Sequence, residues 1–153
     1  MAKKVLQSAE SGSLHYTLFG ISCHLKDFRL SYLLNKQLGM DFSKKDDFRE
    51  FSFYLYADED HFNTYFLLSN RGPEKVMIPE LKQTDYLMLV EGPCKKKQKE
   101  WLLENIRAIP NVLTAFEIRF ETIKNHPSLL DDLELHFIEI NKELKIKYSP
   151  VKK

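Results

Sequence analysis

Phe51-Ser52-Phe53-Tyr54-Leu55-Tyr56 and, beyond Asp58-Glu59-Asp60, Asn63-Thr64-Tyr65-Phe66-Leu67-Leu68 read as two strands of a hairpin turned at an acidic tip. Aromatic and branched side chains suit a pleated surface, and the tip residues favour a turn. Successive side chains on a strand point to opposite faces. Phe51, Phe53 and Leu55 therefore share one face, and Tyr54 and Tyr56 the other; on the returning strand Phe66 and Leu68 oppose Tyr65 and Leu67. A sheet containing such strands is apolar on both sides. Both sides need cover.

Upstream of the hairpin, Leu14 to Cys23 reads as a strand, aromatic and apolar with loose alternation. Asp27 is a suitable N-cap for a helix that carries Leu30, Leu34 and Leu38 at four-residue intervals, and Gly39 supplies its stop. The polar stretch Asp41 to Asp47 reads as a crossing. Downstream, Val76-Met77-Ile78-Pro79 reads as a short edge strand, since Pro79 cannot donate to a central ladder. Asp85 to Val90 is the most apolar strand and is expected at the centre. Gly92-Pro93 punctuates it. A second helix follows from about Lys95 to Ile109, its inner face formed by Trp101 or Leu102 with Leu103, Ile106 and Ile109, and Val112 to Ile118 is the last strand.

This order predicts an α+β fold: a ferredoxin-like antiparallel sheet with two helices on one face and an extra hairpin strand. From Ser128 to Lys147, Leu130, Leu133, Phe137, Ile140 and Leu144 repeat at helical spacing, although Leu133, Leu135 and Phe137 also alternate as a strand would. The expected division is an α+β domain over residues 1–124 and a C-terminal helical extension over 125–153. A helix with such a stripe needs a surface to pack on. It is expected on the bare sheet face, over Tyr54, Tyr56 or Tyr65, in its own chain or exchanged with a twin.

Composition excludes more than it selects. At 153 residues, 43% hydrophobic and 29% charged, the chain matches an ordinary globular domain. Its 23 basic and 22 acidic residues leave a formal charge of +1. That balance, with no basic–glycine–aromatic run, argues against a nucleic-acid partner. Five isolated glycines cannot build a phosphate-cradling loop. No apolar run approaches a membrane span and no apolar core follows Lys3-Lys4, so a cytoplasmic chain is expected, without a membrane partner.

Ile78-Pro79-Glu80-Leu81-Lys82-Gln83-Thr84-Asp85-Tyr86 resembles the signature of the IPExxxVDY family of bacterial proteins, with Thr84 standing where the family has Val. Gly20-Ile21-Ser22-Cys23-His24 and Ser69-Asn70-Arg71 resemble its other recurring stretches, and the likeness covers about residues 3–120. It implies an uncharacterised bacterial, cytosolic protein and brings no reaction with it. Read from the residues, the motif has two meanings. Asp85 can bond turn N–H groups, and Glu80 and Asp85 can pair with Arg71, which would fix the loop before the central strand. Alternatively, Asn70, Arg71, Glu80, Gln83 and Asp85 form a polar binding corner.

Chemistry-bearing clusters are scarce. Cys23 sits where a strand gives way to a helix, but His24, its neighbour in sequence, would point to the opposite face. Cys94 precedes Lys95, Lys96 and Lys97, surroundings that should make a thiol more acidic. Both are expected to stay reduced at opposite ends of the sheet. His15, His24, His61, His126 and His136 match no metal-ligand spacing. No catalytic residue, metal or cofactor is assigned. The expected role is a non-catalytic protein-interaction or homodimerising module. A small-molecule-binding regulatory domain of the ferredoxin-like kind is the alternative, and a Cys-dependent enzyme is the weaker one.

Overall fold

The computed structural model describes residues 16–124 and 126–148, with side chains described at 16–124 and 127–141. Leu14 and His15 of the expected first strand, and the Leu144 side chain of the stripe, lie outside the described residues. The elements run β1 (Tyr16–Cys23), α1 (Asp27–Leu38), β2 (Ser43–Phe48), β3 (Phe51–Asp58), β4 (Asn63–Ser69), β5 (Tyr86–Glu91), α2 (Lys96–Arg107), β6 (Val112–Ile118) and α3 (His126–Tyr148). Short 3-10 turns occupy Pro79–Leu81 and Phe120–Thr122.

The fold is α+β. Six strands form one sheet in the order β2-β3-β4-β5-β1-β6, every neighbouring pair antiparallel. This is not the four-strand ferredoxin-like order. The polar stretch read as a crossing is β2, an edge strand, because Ser43, Lys44 and Lys45 pair with Leu55, Tyr54 and Phe53 while their side chains stay largely in solvent. An edge needs only one neighbour, and charge along it deters association with other edges. The expected strand at Val76–Pro79 is absent. The Met77 N–H donates to the Asn70 carbonyl at 2.8 Å and the Ile78 N–H to Asn70 Oδ1 at 2.9 Å, which leaves a single bridge between Arg71 and Val76 before Pro79 opens its turn.

The two faces differ. On one, α1 and α2 bury Leu30, Leu34, Leu38, Leu102 and Ile106 against Phe19, Ile21, Tyr54, Tyr65, Leu67, Met88 and Val90. Trp101 points away, so Leu102 is the inward residue. Lys26, rather than Asp27, occupies the N-cap of α1, and Asp27 instead accepts a hydrogen bond from the Tyr54 hydroxyl at 3.1 Å. Gly39 ends the helix at φ 66°, a left-handed conformation that glycine adopts without strain.

On the opposite face, α3 buries Leu129, Leu133 and Ile140 against Phe53, Leu55, Phe66, Leu68, Leu87, Leu89 and Ile118, with Phe137 tilted 5.3 Å from Phe66. The tail is helical and covers the sheet in its own chain. The residues it covers are the phenylalanines, not Tyr54, Tyr56 or Tyr65: alternation separates the two sets but does not say which set each helix selects. Leu129, outside the expected stripe, is buried because it lies one helical turn before Leu133 on the same face.

Each outer edge of the sheet has one backbone carbonyl bonded by a side chain. On β6, the Ala115 carbonyl accepts from Arg107 Nε at 2.9 Å and Glu117 pairs with Lys99 at 3.0 Å. On β2, His136 Nε2 donates to the Asp46 carbonyl at 3.0 Å.

Candidate functional site

The motif corner forms where β4 ends and β5 begins. Asn70 is fully buried, and its side chain is saturated. Its Nδ2 donates to the Leu81 and Thr84 carbonyls, both at 2.9 Å, while Oδ1 accepts from the Ile78 N–H. One amide thus holds both ends of the 78–84 loop. Asp85 accepts from Arg71 Nε at 2.7 Å and from the Cys23 N–H at 2.9 Å, tying the loop to the end of β1. Arg71 also donates to the Lys82 carbonyl at 2.6 Å. Thr84 is buried beside Gly20, with its methyl facing that glycine.

Glu80 and Gln83 stand apart from this cluster. The Glu80 carboxylate accepts from the Lys124 N–H at 3.0 Å, a bond that holds its pKa below the usual value. Gln83 contributes its backbone carbonyl, to the Ser22 hydroxyl at 3.1 Å, and leaves its side chain exposed. Of the five corner residues, Asn70, Arg71 and Asp85 are brought together. Their hydrogen-bonding capacity is spent largely on backbone groups, which is the chemistry of a loop anchor. Glu80 lines a separate cavity of about 390 Å³ beside Ile78, Ile123 and the first turns of α3; Arg71 and Asp85 do not line it.

The thiols lie at opposite ends of the sheet. Tyr16 pairs with Glu91 and Ile21 with Tyr86, so Cys23 follows one end of the β1–β5 ladder and Cys94 the other. Both are free. Burial pushes both thiols up. At Cys94 this outweighs the lowering effect of Lys99, reversing the expectation of an acidic thiol. His24, next in sequence to Cys23, is exposed, whereas Cys23 is buried. A thiol that is protonated and lacks a base is a poor nucleophile. Among the described residues, no group of three His, Cys, Asp or Glu could hold a metal ion, and no helix is long and apolar enough to cross a membrane.

The larger concavity is on the tyrosine face. Between the end of α1, the β3–β4 hairpin and the first turns of α2 lies a cleft of about 610 Å³. Leu38, Met40, Tyr56, Tyr65 and Trp101 form its apolar wall, and Asp58, Asp60, His61 and Gln98 its polar side. Tyr56 and Tyr65, directly opposed across the β3–β4 ladder, stack at 5.6 Å with their planes 26° apart. Phe42 braces both, 5.9 and 6.3 Å away.

The floor of this cleft is fixed by hydrogen bonds. Gln98 Nε2 donates to the Tyr65 hydroxyl and to Asn63 Oδ1, each at 3.1 Å, and Asn63 Nδ2 donates to the Pro93 carbonyl at 2.8 Å. Asn63 is buried at the start of β4 as Asn70 is just beyond its end. The pair brackets the strand. Asp58 closes the hairpin tip, accepting from the His61 N–H at 3.3 Å and lying 2.9 Å from His61 Nδ1. Trp101, 45% exposed, stands at the mouth. Burial foremost, with the charge of Asp58, Asp60 and Asp41, pushes the Tyr56 hydroxyl up; burial raises that of Tyr65 to about 12 against the lowering bond from Gln98.

Sequence reasoning missed this cleft. Tyr56, Tyr65, the acidic tip and Trp101 were each legible, as sheet face, turn and helix, but Gly39, Tyr56 and Trp101 are far apart in the chain and only the fold unites them. The available signal was Trp101 itself, one step out of the inward series of its helix. No protein-family model matches the chain, and no curated protein matches it.

Proposed function

We propose that the protein is a non-catalytic, small-molecule-binding domain, with the cleft of Tyr56, Tyr65 and Trp101 as its ligand site. The observation that carries this reading is the cleft itself. About 610 Å³ with mainly apolar walls and a few converging polar groups falls within the range of sites that enclose small ligands. Its Tyr65 hydroxyl and Gln98 amide are held with Asn63 before any ligand arrives, which lowers the ordering cost of binding.

The interaction and homodimerising reading has less support. It rested on an open sheet face, which α3 occupies, and each outer edge has one carbonyl bonded by a side chain. The Cys-dependent reading lacks an activated thiol. We also infer a ferredoxin-like kernel of β6, β1, β5 and β4, with α1 and α2 on its tyrosine side and the β2–β3 hairpin added. Membership of the IPExxxVDY family is likewise a proposal, supported by the motif residues Ile78 to Tyr86.

Trp101, the chain's single tryptophan, stands at the mouth and reports occupancy. Titration with a small-molecule library should give saturable changes in its emission that Tyr56→Ala weakens. Ligands that bind equally well to Tyr56→Ala, or that shift amides only at Arg71 and Asp85, would move the site to the motif corner and overturn the cleft assignment.

A further inference from the structure

Resting on the cleft as the ligand site, we infer that its ligand is a small organic cation bearing an ammonium or guanidinium group. The argument starts from the ring faces. An aromatic face carries the negative part of the ring's quadrupole and attracts a cation within about 6 Å of its centre. Tyr56 and Trp101 offer ring surface to the cleft, and the buried Tyr65 ring backs Tyr56. The two tyrosines are locked by their mutual stacking and by Phe42, so they need not be ordered on binding.

The carboxylates that line the cleft, Asp58 and Asp60, are unopposed by a lining lysine or arginine. The one ring there able to become positive, His61, is held by Asp58. This contrasts with the chain as a whole, whose formal charge is +1. The raised Tyr56 hydroxyl reports the same field, since after burial its causes are the charges of Asp58, Asp60 and Asp41.

An anion would meet the opposite reception. It would face two carboxylates, and the Gln98 Nε2 donor is already engaged by Asn63 and Tyr65. A neutral ligand could use the rings but would leave Asp60 without a role, since Asp58 already holds the hairpin tip. A bare divalent ion would find too few ligands, because no cluster of three His, Cys, Asp or Glu occurs among the described residues. An organic cation uses the rings and the acids together. The cleft volume admits a ligand of choline or arginine size.

The test compares matched probes on the full chain, followed by Trp101 emission and by amide chemical shifts at Tyr56, Tyr65 and Gln98. Choline and arginine are titrated beside the neutral isostere of choline, in which a tert-butyl group replaces the trimethylammonium. The cations should bind saturably, and the isostere about tenfold more weakly or worse. Asp60→Asn, at an exposed position, should weaken choline several-fold and leave the isostere unchanged. If the isostere binds as tightly as choline, or Asp60→Asn affects both equally, the cation inference falls while the cleft stands. If no cation, isostere or library ligand shifts these residues, the cation inference and the cleft reading fall together.

Discussion

The two faces of the sheet both carry large side chains from the hairpin but differ in chemistry. β3 and β4 send Phe53, Leu55, Phe66 and Leu68 to one side and Tyr54, Tyr56, Tyr65 and Leu67 to the other. The phenylalanine side has no ring hydroxyl from this hairpin to satisfy. It is sealed by one long helix, with Phe53 stacked on Phe66 and His136 edge-on to Phe53. The tyrosine side carries ring hydroxyls, three of them hydrogen-bonded: Tyr54 donates to Asp27, Tyr65 accepts from Gln98, and Tyr86 donates to the Leu25 carbonyl. Rings with polar tips need those tips near the rim of the core. That requirement keeps the tyrosine side open at one end, and the opening is the cleft. A dry face stabilises; a face with polar tips can also bind.

The largest expected effect comes from removing the cover of the dry face. A chain ending at residue 125 should aggregate or fail to fold, because it exposes the Phe53–Phe66 stack; light scattering would detect this, and a soluble, equally stable product would break the comparison. As a point change, Leu133→Ala should cost about 2–5 kcal/mol, measured by denaturant unfolding.

Next comes the buried amide that holds Ile78 on that same face. Asn70→Ala strands two carbonyls and an N–H and should cost roughly 3 kcal/mol. Asp85→Ala removes two charge-assisted bonds and should cost on the order of 1–3 kcal/mol. If either variant kept full stability and instead lost a ligand, the corner would be the binding site.

On the tyrosine face, Tyr65→Phe should cost about 1 kcal/mol, the ordinary worth of one hydrogen bond. A pH slope tests the ring hydroxyls of this face. Burial raises the Tyr54 and Tyr65 hydroxyls from 10.0 to about 12, so the folded state favours the neutral form. Their contribution is fully present below about pH 10 and is lost as pH rises from there through about 12. Unfolding midpoints followed across that window should decline, with phenolate absorbance from these rings delayed beyond the ordinary tyrosine range. The double variant Tyr54→Phe, Tyr65→Phe should flatten the slope; an unchanged slope would show that the hydroxyls are freely solvated.

Much of the fold was legible because it rests on local period and punctuation. The β3–β4 hairpin, the Leu30–Leu34–Leu38 face of α1 and the stop at Gly39 all follow from side-chain spacing and backbone freedom. β2 was not legible: a strand with one neighbour and charged side chains has the composition of a loop, and only pairing with β3 reveals it. The 76–79 segment failed in the opposite sense. Its composition suits a strand, but the side chain of Asn70, eight residues earlier, takes the N–H that a ladder would use. The motif corner was visible as polar residues flanking an apolar strand, whereas its saturation by backbone groups was not.

The sequence by itself determined that this chain folds around an antiparallel sheet with apolar residues on both sides, and that its final helix must bury a stripe. Alternation and helical spacing are properties of short windows, and they survive whatever surrounds them. Only the tertiary structure decided that α3 takes the phenylalanines, that Asn63 and Asn70 bracket β4, and that Met40, Tyr56, Asp60 and Trp101 share one cleft. The reason is physical: a face is chosen, and a site assembled, by contacts between segments far apart in the chain, where the period within a segment carries no information about its partner.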